Sequence, residues 1–243
     1  GRCLLMDQET LYTRINWLTG PEKIERLKNT SVALFGTGGV GGGALEALVR
    51  GGIGRIVLID GDSIAPSNLN RQMITSQATI GRRKVEVAKE RALAINPDCQ
   101  VEAYDLFYTE ETHPGFIQGL HVDFVIDAID MVKAKIDIVE QCQDSGIGLI
   151  SSMGGGNRFY PEKIQIADIK KTFNDPLARV MRQQLKKRRI NKLTVAFSTE
   201  VPTKPAFRGD EGTSPGTTSM VPPVLGFTLA AHVIRTILEV PKQ

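Results

Sequence analysis

Val32-Ala33-Leu34-Phe35-Gly36-Thr37-Gly38-Gly39-Val40-Gly41 is an apolar, strand-forming run that ends in clustered glycines. Leu45, Leu48 and Val49 follow at helical spacing. The order strand, tight turn, helix places Gly36, Gly38 and Gly41 in the G-x-G-x-x-G pattern of dinucleotide-binding folds, with Gly39 in the same turn. Glycine lets the backbone approach a phosphate, and the free N–H groups of a helix start point at it. The next apolar run, 55–59, ends in Asp60. A carboxylate roughly twenty residues beyond the glycines suits a ribose hydroxyl. The stretch therefore predicts an adenine nucleotide site on an α/β fold.

Working outward, alternating elements predict a Rossmann-like, doubly wound, mainly parallel sheet with helices on both faces. Strands are expected at 31–36, 55–60, 100–106, 122–127 and 147–152. Helices are expected at about 40–51, 81–96, 110–119 and 132–145. Runs such as Val122–Ile126 are nearly continuous in apolar character, as in parallel strands buried on both faces. Ahead of this core (30–152), an arm (1–29) carries two short helices separated by Gly20-Pro21, with Leu11, Ile15 and Leu18 on one apolar face. Behind it, 153–243 forms a C-terminal extension. It contains a strand at 163–167, a helix from Pro176 to about 189 capped by Asp175, and a strand at 193–197. A mobile loop follows at 201–218, then a closing helix from about 221.

Ligands of such sheets sit outside the carboxyl ends of strands, where the chain is rich in polar groups. After Asp60 come Asp62, Asn68, Asn70, Arg71 and Gln72. Lys84 opens the next helix, a place unfavourable for a cation unless it faces an anion; a solvated lysine fits the spacing equally. After the fourth strand come Asp127 and Asp130. A carboxylate pair there suits Mg²⁺, which takes one or two carboxylates plus phosphate oxygens; Asp130 also fits a helix cap. A hydride-transferring enzyme has no use for Asn70, Arg71 and Lys84 beside that pair. A triphosphate does, because its charge must be neutralised as pyrophosphate leaves.

The bulk numbers set bounds. The chain has 243 residues, 41% hydrophobic and 23% charged, with net charge +3. That suits a globular protein and is too weakly basic to argue for nucleic acid alone. Cys3, Cys99 and Cys142 lie far apart and form no C-x-x-C pair, which suggests neither a structural zinc site nor a disulfide framework and fits a reducing setting, with cytoplasm the default expectation. The stretch before Met6 reads as a cloning remnant rather than a signal peptide. Met220–Leu238 is interrupted by prolines, His232 and Arg235, so a buried helix is favoured over a membrane span. Between Asp175 and Glu200 there is no acidic residue. Arg179, Arg182, Lys186, Lys187, Arg188, Arg189 and Lys192 all fall there, which predicts either a solvated face or contact with nucleic-acid phosphates.

In sequence order, G-x-G-G-V-G, Asp60-x-Asp62, Asn68-x-Asn70-Arg71-Gln72, Gly81-x-x-Lys84 and Asp127-x-x-Asp130 resemble the ThiF/MoeB/HesA superfamily. These adenylating enzymes share their fold with ubiquitin-activating enzymes. The resemblance implies that a carboxylate attacks the α-phosphate of ATP with Mg²⁺, leaving an acyl adenylate. Asp60 would hold the ribose. Asn70, Arg71 and Lys84 would hold phosphates, and Asp130 the metal. Arg14 would reach a neighbouring subunit's ATP site, implying a homodimer. The second half, from Gly154-Gly155-Gly156 through Asp175-Pro176 to Phe197-Ser198-Thr199-Glu200, is similar to the family of tRNA threonylcarbamoyladenosine dehydratases. That implies ATP-dependent cyclisation of a tRNA nucleoside. No cysteine follows Ser151, so a thioester route is not expected. Two readings stand beside it: activation of a small carrier protein's C-terminal glycine, with sulfur-transfer partners, and a nucleotide-binding module without turnover.

Overall fold

The computed structural model describes residues 8–112, 114–207 and 214–243. The stretch before Met6, including Cys3, lies outside them, as does the middle of the 201–218 loop. Among the described residues seven strands form one sheet: β1 (Ser31–Phe35), β2 (Arg55–Asp60), β3 (Gln100–Asp105), β4 (Phe124–Asp127), β5 (Gly148–Ser152), β6 (Ile164–Asp168) and β7 (Thr194–Ser198), in the order β3-β2-β1-β4-β5-β7-β6. All neighbours are parallel except β6 and β7. The strand order reverses beside β1, with β2 and β4 on either side. That places a crevice at the carboxyl ends of β1 and β4, where such folds bind ligands.

Helices cover both faces. On one lie α3 (Gly39–Arg50), α4 (Lys84–Ile95) and the closing helix α8 (Val221–Ile237). On the other lie α5 (Phe116–Gly119), α6 (Val132–Ser145) and α7 (Pro176–Lys187). The apolar run near the C-terminus is thus a packed helix. No helix among the described residues is long and apolar enough to cross a membrane. Glycines seat α8 on α3: a Cβ on Gly226 would lie 1.9 Å from the Val40 carbonyl oxygen, and one on Gly43 2.3 Å from that of Pro223. The closing helix therefore begins against the glycine turn.

Several boundaries move. The helix expected at 81–96 starts at Lys84, because Gly81 sits at φ +86° and Arg83 is extended. The helix expected at 110–119 is one turn, Phe116–Gly119, entered through Gly115 at φ +78°. The arm holds α1 (Thr13–Thr19) and α2 (Pro21–Lys28). Leu18 does not share a buried face with Leu11 and Ile15: it is 81% exposed, beside Trp17 at 69%. The 201–218 loop is tied to Asn157 at two points, Thr203 and Gly216. Asn157 N–H donates to the Gly216 oxygen at 2.7 Å, and Thr203 N–H to the Asn157 oxygen at 2.7 Å.

Candidate active site

The glycine turn joins β1 to α3. Gly36 takes φ +93°, which glycine adopts without strain. A Cβ on Gly36 would meet the Ala128 oxygen at 2.7 Å, and one on Gly41 the Gly36 oxygen at 1.8 Å. Glycine is thus required here for close packing of strand, helix and the β4–α6 loop. Gly38 caps α3 with no side-chain partner on the first turn, which leaves N–H groups for an anion. Gly41→Ala is expected to lower the melting temperature and abolish ATP-dependent thermal stabilisation. Forcing that methyl in should cost about 1–3 kcal/mol; a wild-type melting curve with full ATP response would contradict this packing.

Asp60 ends β2 next to the turn. Its Oδ2 accepts from Thr37 N–H at 2.8 Å and the Thr37 hydroxyl at 3.0 Å, and its Oδ1 from Asp62 N–H at 2.8 Å. Thr37, fully buried, is a positioning residue the sequence pattern did not single out. Asp62 continues the chain of contacts to Lys84, whose Nζ lies 3.4 Å from Asp62 Oδ2. Lys84 is 6% exposed and opens α4. A solvated surface lysine does not describe it.

The loop 66–72 folds back over the glycines. A Cβ on Gly39 would lie 3.2 Å from Arg71 Cγ, and one on Gly38 3.5 Å from Gln72 Nε2. Arg71 donates to the Ser67 carbonyl and to Asn70 Oδ1, both at 3.0 Å. Those acceptors are neutral, and partial burial pulls its pKa down. A partly desolvated guanidinium with no carboxylate partner among the described residues favours an incoming anion. Gln72 is buried, and its Oε1 finds no partner among the described residues. Asn68 plays a local part: its Oδ1 accepts from Ala65 N–H at 2.8 Å, shaping the loop. Asn70 donates to the Thr217 carbonyl at 3.2 Å, tying this loop to the C-terminal strap.

Asp127 and Asp130 separate in role. Asp127 is fully buried. Its Oδ2 lies 3.0 Å from Lys135 Nζ and accepts from Ser151 Oγ at 2.9 Å, while Oδ1 accepts from Ile129 N–H at 3.2 Å. Its carboxylate is thus spent within the protein rather than offered to a ligand. Lys135, also fully buried, donates to the Ile129 carbonyl at 2.7 Å. Lys135 and Asp127 therefore clamp the loop that carries Asp130. Asp130 itself is exposed, and Met131 rather than Asp130 occupies the cap position of α6. Capping does not account for it.

A second buried network lies at the ends of β5 and β7. Arg158, 2% exposed, donates to the Glu200 carbonyl and to that of Asn174 at 3.0 Å. Glu200 accepts from Phe159 N–H and Tyr160 N–H, each at 2.9 Å. Asp175 caps α7 through Ala178 N–H at 2.9 Å and holds Gly154 N–H at 3.0 Å. Arg158 does not stand out in the sequence, and Glu200 does so only as the end of the Phe197-Ser198-Thr199-Glu200 motif, with no partner indicated.

The basic segment divides. Arg182 is tied to Thr172, and Arg188 pairs with Glu140 at 3.1 Å. Arg179, Lys186, Lys187 and Arg189 are exposed. Arg14 is exposed too, its guanidinium 5.1 Å over the Trp17 ring. Burial pushes the Cys99 thiol up to about 11 and the Cys142 thiol up to about 12. Neither is a competent nucleophile at neutral pH.

A glycine-turn nucleotide crevice flanked by desolvated cations and a free carboxylate defines a nucleotide-binding α/β protein equipped for phosphate chemistry. Residues 12–243 match the ThiF family, and the chain belongs to it. The tRNA threonylcarbamoyladenosine dehydratase of Bacillus subtilis is 41% identical over 242 residues, 94% of each chain. That of Haemophilus influenzae is 35% identical over 247 residues, 95% of this chain and 94% of its own. The crystal structure of the Escherichia coli tRNA N6-threonylcarbamoyladenosine dehydratase in complex with ATP superposes with TM-score 0.85 at 33% identity, covering 94% of this chain and 93% of that one.

Proposed function

We propose that the chain is an ATP-dependent dehydratase that cyclises threonylcarbamoyladenosine in tRNA. The observation that carries this reading is the juxtaposition of the glycine turn, Arg71, Lys84 and Asp130 in a chain similar to named dehydratases over 94% of its length. The threonyl carboxylate attacks the α-phosphorus of ATP, the bond to the β-phosphate oxygen breaks, and pyrophosphate leaves. The ureido group then closes on the activated carbonyl and gives up a proton. AMP departs with one carboxylate oxygen, so the nucleoside loses one water overall. No protein thiol is needed, in keeping with the two buried cysteines.

In this reading Asp60 binds the ribose. Arg71, Lys84 and Asn70 neutralise phosphate charge that grows as pyrophosphate leaves. Gln72 offers its amide Nε2 beside Gly38. Mg²⁺ fits Asp130: among the described residues no cluster of three acidic, His or Cys groups forms, and Mg²⁺ needs only one or two carboxylates when phosphates complete its shell. The metal would supply charge neutralisation on the phosphates. Arg179, Lys186, Lys187 and Arg189 would hold the tRNA backbone. The exposed pair Trp17 and Leu18 beside Arg14 supports docking of α1 on a second copy. A cytoplasmic location belongs to the same proposal, supported by the tRNA substrate and the unpaired cysteines.

The test is to incubate the protein with ATP, Mg²⁺ and bulk tRNA, digest, and weigh the nucleosides. Threonylcarbamoyladenosine lighter by one water is expected. Unchanged nucleosides, with pyrophosphate exchange only on adding a small carrier protein, would transfer the reading to carrier activation.

A further inference from the structure

The Arg158–Glu200 network does more than brace the sheet end: it presents aromatic rings to solvent. Phe159 and Tyr160 are 52% and 51% exposed, although their backbone N–H groups are held by the buried Glu200 carboxylate. Phe173 is 52% exposed, and its ring stands edge-on to buried Phe197 with centroids 5.7 Å apart. Phe173 directly precedes Asn174, whose carbonyl accepts from Arg158 and whose amide donates to the Thr199 carbonyl at 2.9 Å. One hydrogen-bonded frame thus fixes the backbone beneath all three rings.

Cations accompany them along the chain. The Lys163 ammonium lies 5.2 Å from the Tyr160 ring centroid. Lys170 and Lys171 are exposed just ahead of Phe173, and Arg179 is exposed on α7. Glu162 is the exposed acid in this stretch. A groove of about 600 Å³, lined by Asn174, Pro176, Arg179 and Pro202 among others, opens beside Phe173. That volume is on the scale of small-ligand sites, about 300–1,000 Å³. The frame also reaches the nucleotide crevice: Asn157 bonds Gly216, and the next residue, Thr217, receives Asn70.

Rigid, half-exposed rings interleaved with cations are the means by which proteins hold unpaired nucleotides: bases stack on the rings while cations follow the backbone. We propose that Phe159, Tyr160 and Phe173 form a stacking platform for unpaired loop nucleotides flanking the one modified. This deepens the tRNA reading above and rests on it. It assigns selectivity for a single-stranded loop to the rings and leaves α7 to the sequence-independent grip on phosphates.

The test uses the full chain and an RNA hairpin carrying threonylcarbamoyladenosine in its loop, with a perfect duplex of equal length as control. Tyr160→Ala and Phe173→Ala are each expected to weaken hairpin binding about tenfold, the scale of one lost base stack. Duplex binding, the slope of affinity against salt and ATP-dependent thermal stabilisation should not change. Tyr160→Phe keeps the ring face and should bind as wild type. Alanine variants that bind the hairpin normally, or lose hairpin and duplex equally, would overturn the platform. So would variants that shift the protein from dimer to monomer in sedimentation, since the rings would then belong to a contact between copies. If the wild-type protein fails to convert the modified nucleoside, the tRNA reading falls as well. If it converts the nucleoside while the alanine variants are unaffected, only the platform falls.

Discussion

Arg71→Ala and Asp130→Ala are each expected to cut the single-turnover rate of cyclisation at saturating ATP by about 100- to 1,000-fold, the usual cost of removing one group that stabilises transition-state charge. Arg71 is suited to this because its guanidinium is partly desolvated and bonded only to neutral oxygens, the Ser67 carbonyl and Asn70 Oδ1. Among the described residues no carboxylate pairs with it, so in the proposed mechanism the interaction would strengthen as negative charge grows on the phosphates. Asp130 is exposed at the end of a clamped loop, free of the cap role at α6. Because neither side chain packs in the core, both variants should melt like the wild type. Raising Mg²⁺ should rescue neither fully. A variant with normal turnover would strip that residue of its assigned part.

Lys135→Met is expected to destabilise the protein by about 3–5 kcal/mol, because Asp127 would be left as an uncompensated buried charge. The pair lies fully out of solvent, 3.0 Å apart. Asp127→Asn combined with Lys135→Met removes both charges, and chemical denaturation should return most of that stability. Activity should not return with it. Lys135 also holds the Ile129 carbonyl at 2.7 Å, and without that bond the loop carrying Asp130 loses its position. Recovered stability together with recovered activity would show that the clamp has no positioning role.

What the sequence reveals divides along a physical line. Local pattern reveals the glycine turn, the parallel strands and the cluster from Asp60 to Lys84, because tight turns and buried strands demand particular residues at fixed spacing. The turn's demands are visible in the 1.8 Å that would separate a Gly41 Cβ from the Gly36 oxygen. Pairings across the chain are not visible in this way. Asp127 and Asp130 look alike in sequence; only packing commits Asp127 to Lys135 and Ser151 and leaves Asp130 outside. Arg158 and Glu200 meet 42 residues apart, and Asn70 reaches Thr217 across 147. Neither separation carries a spacing rule. The C-terminal extension past 153 carries β6 and β7, which continue the same sheet, because β7 pairs with β5 through Ser151↔Val195 and Ser152↔Ala196, a long-range pairing with no spacing rule in the sequence. Leu18 matches a helical stripe, but on this seven-residue helix only Ile15 of that stripe packs partly against the core, and Leu18 stays 81% exposed.

The central claim is that this crevice joins the AMP moiety of ATP to a carboxylate on the RNA. It is tested most directly by labelling both threonyl carboxylate oxygens of threonylcarbamoyladenosine-containing tRNA with heavy oxygen and weighing the products of a single turnover. The mechanism predicts one labelled oxygen in AMP and none in pyrophosphate. Label released as water, or found in inorganic phosphate, would contradict adenylation at this site.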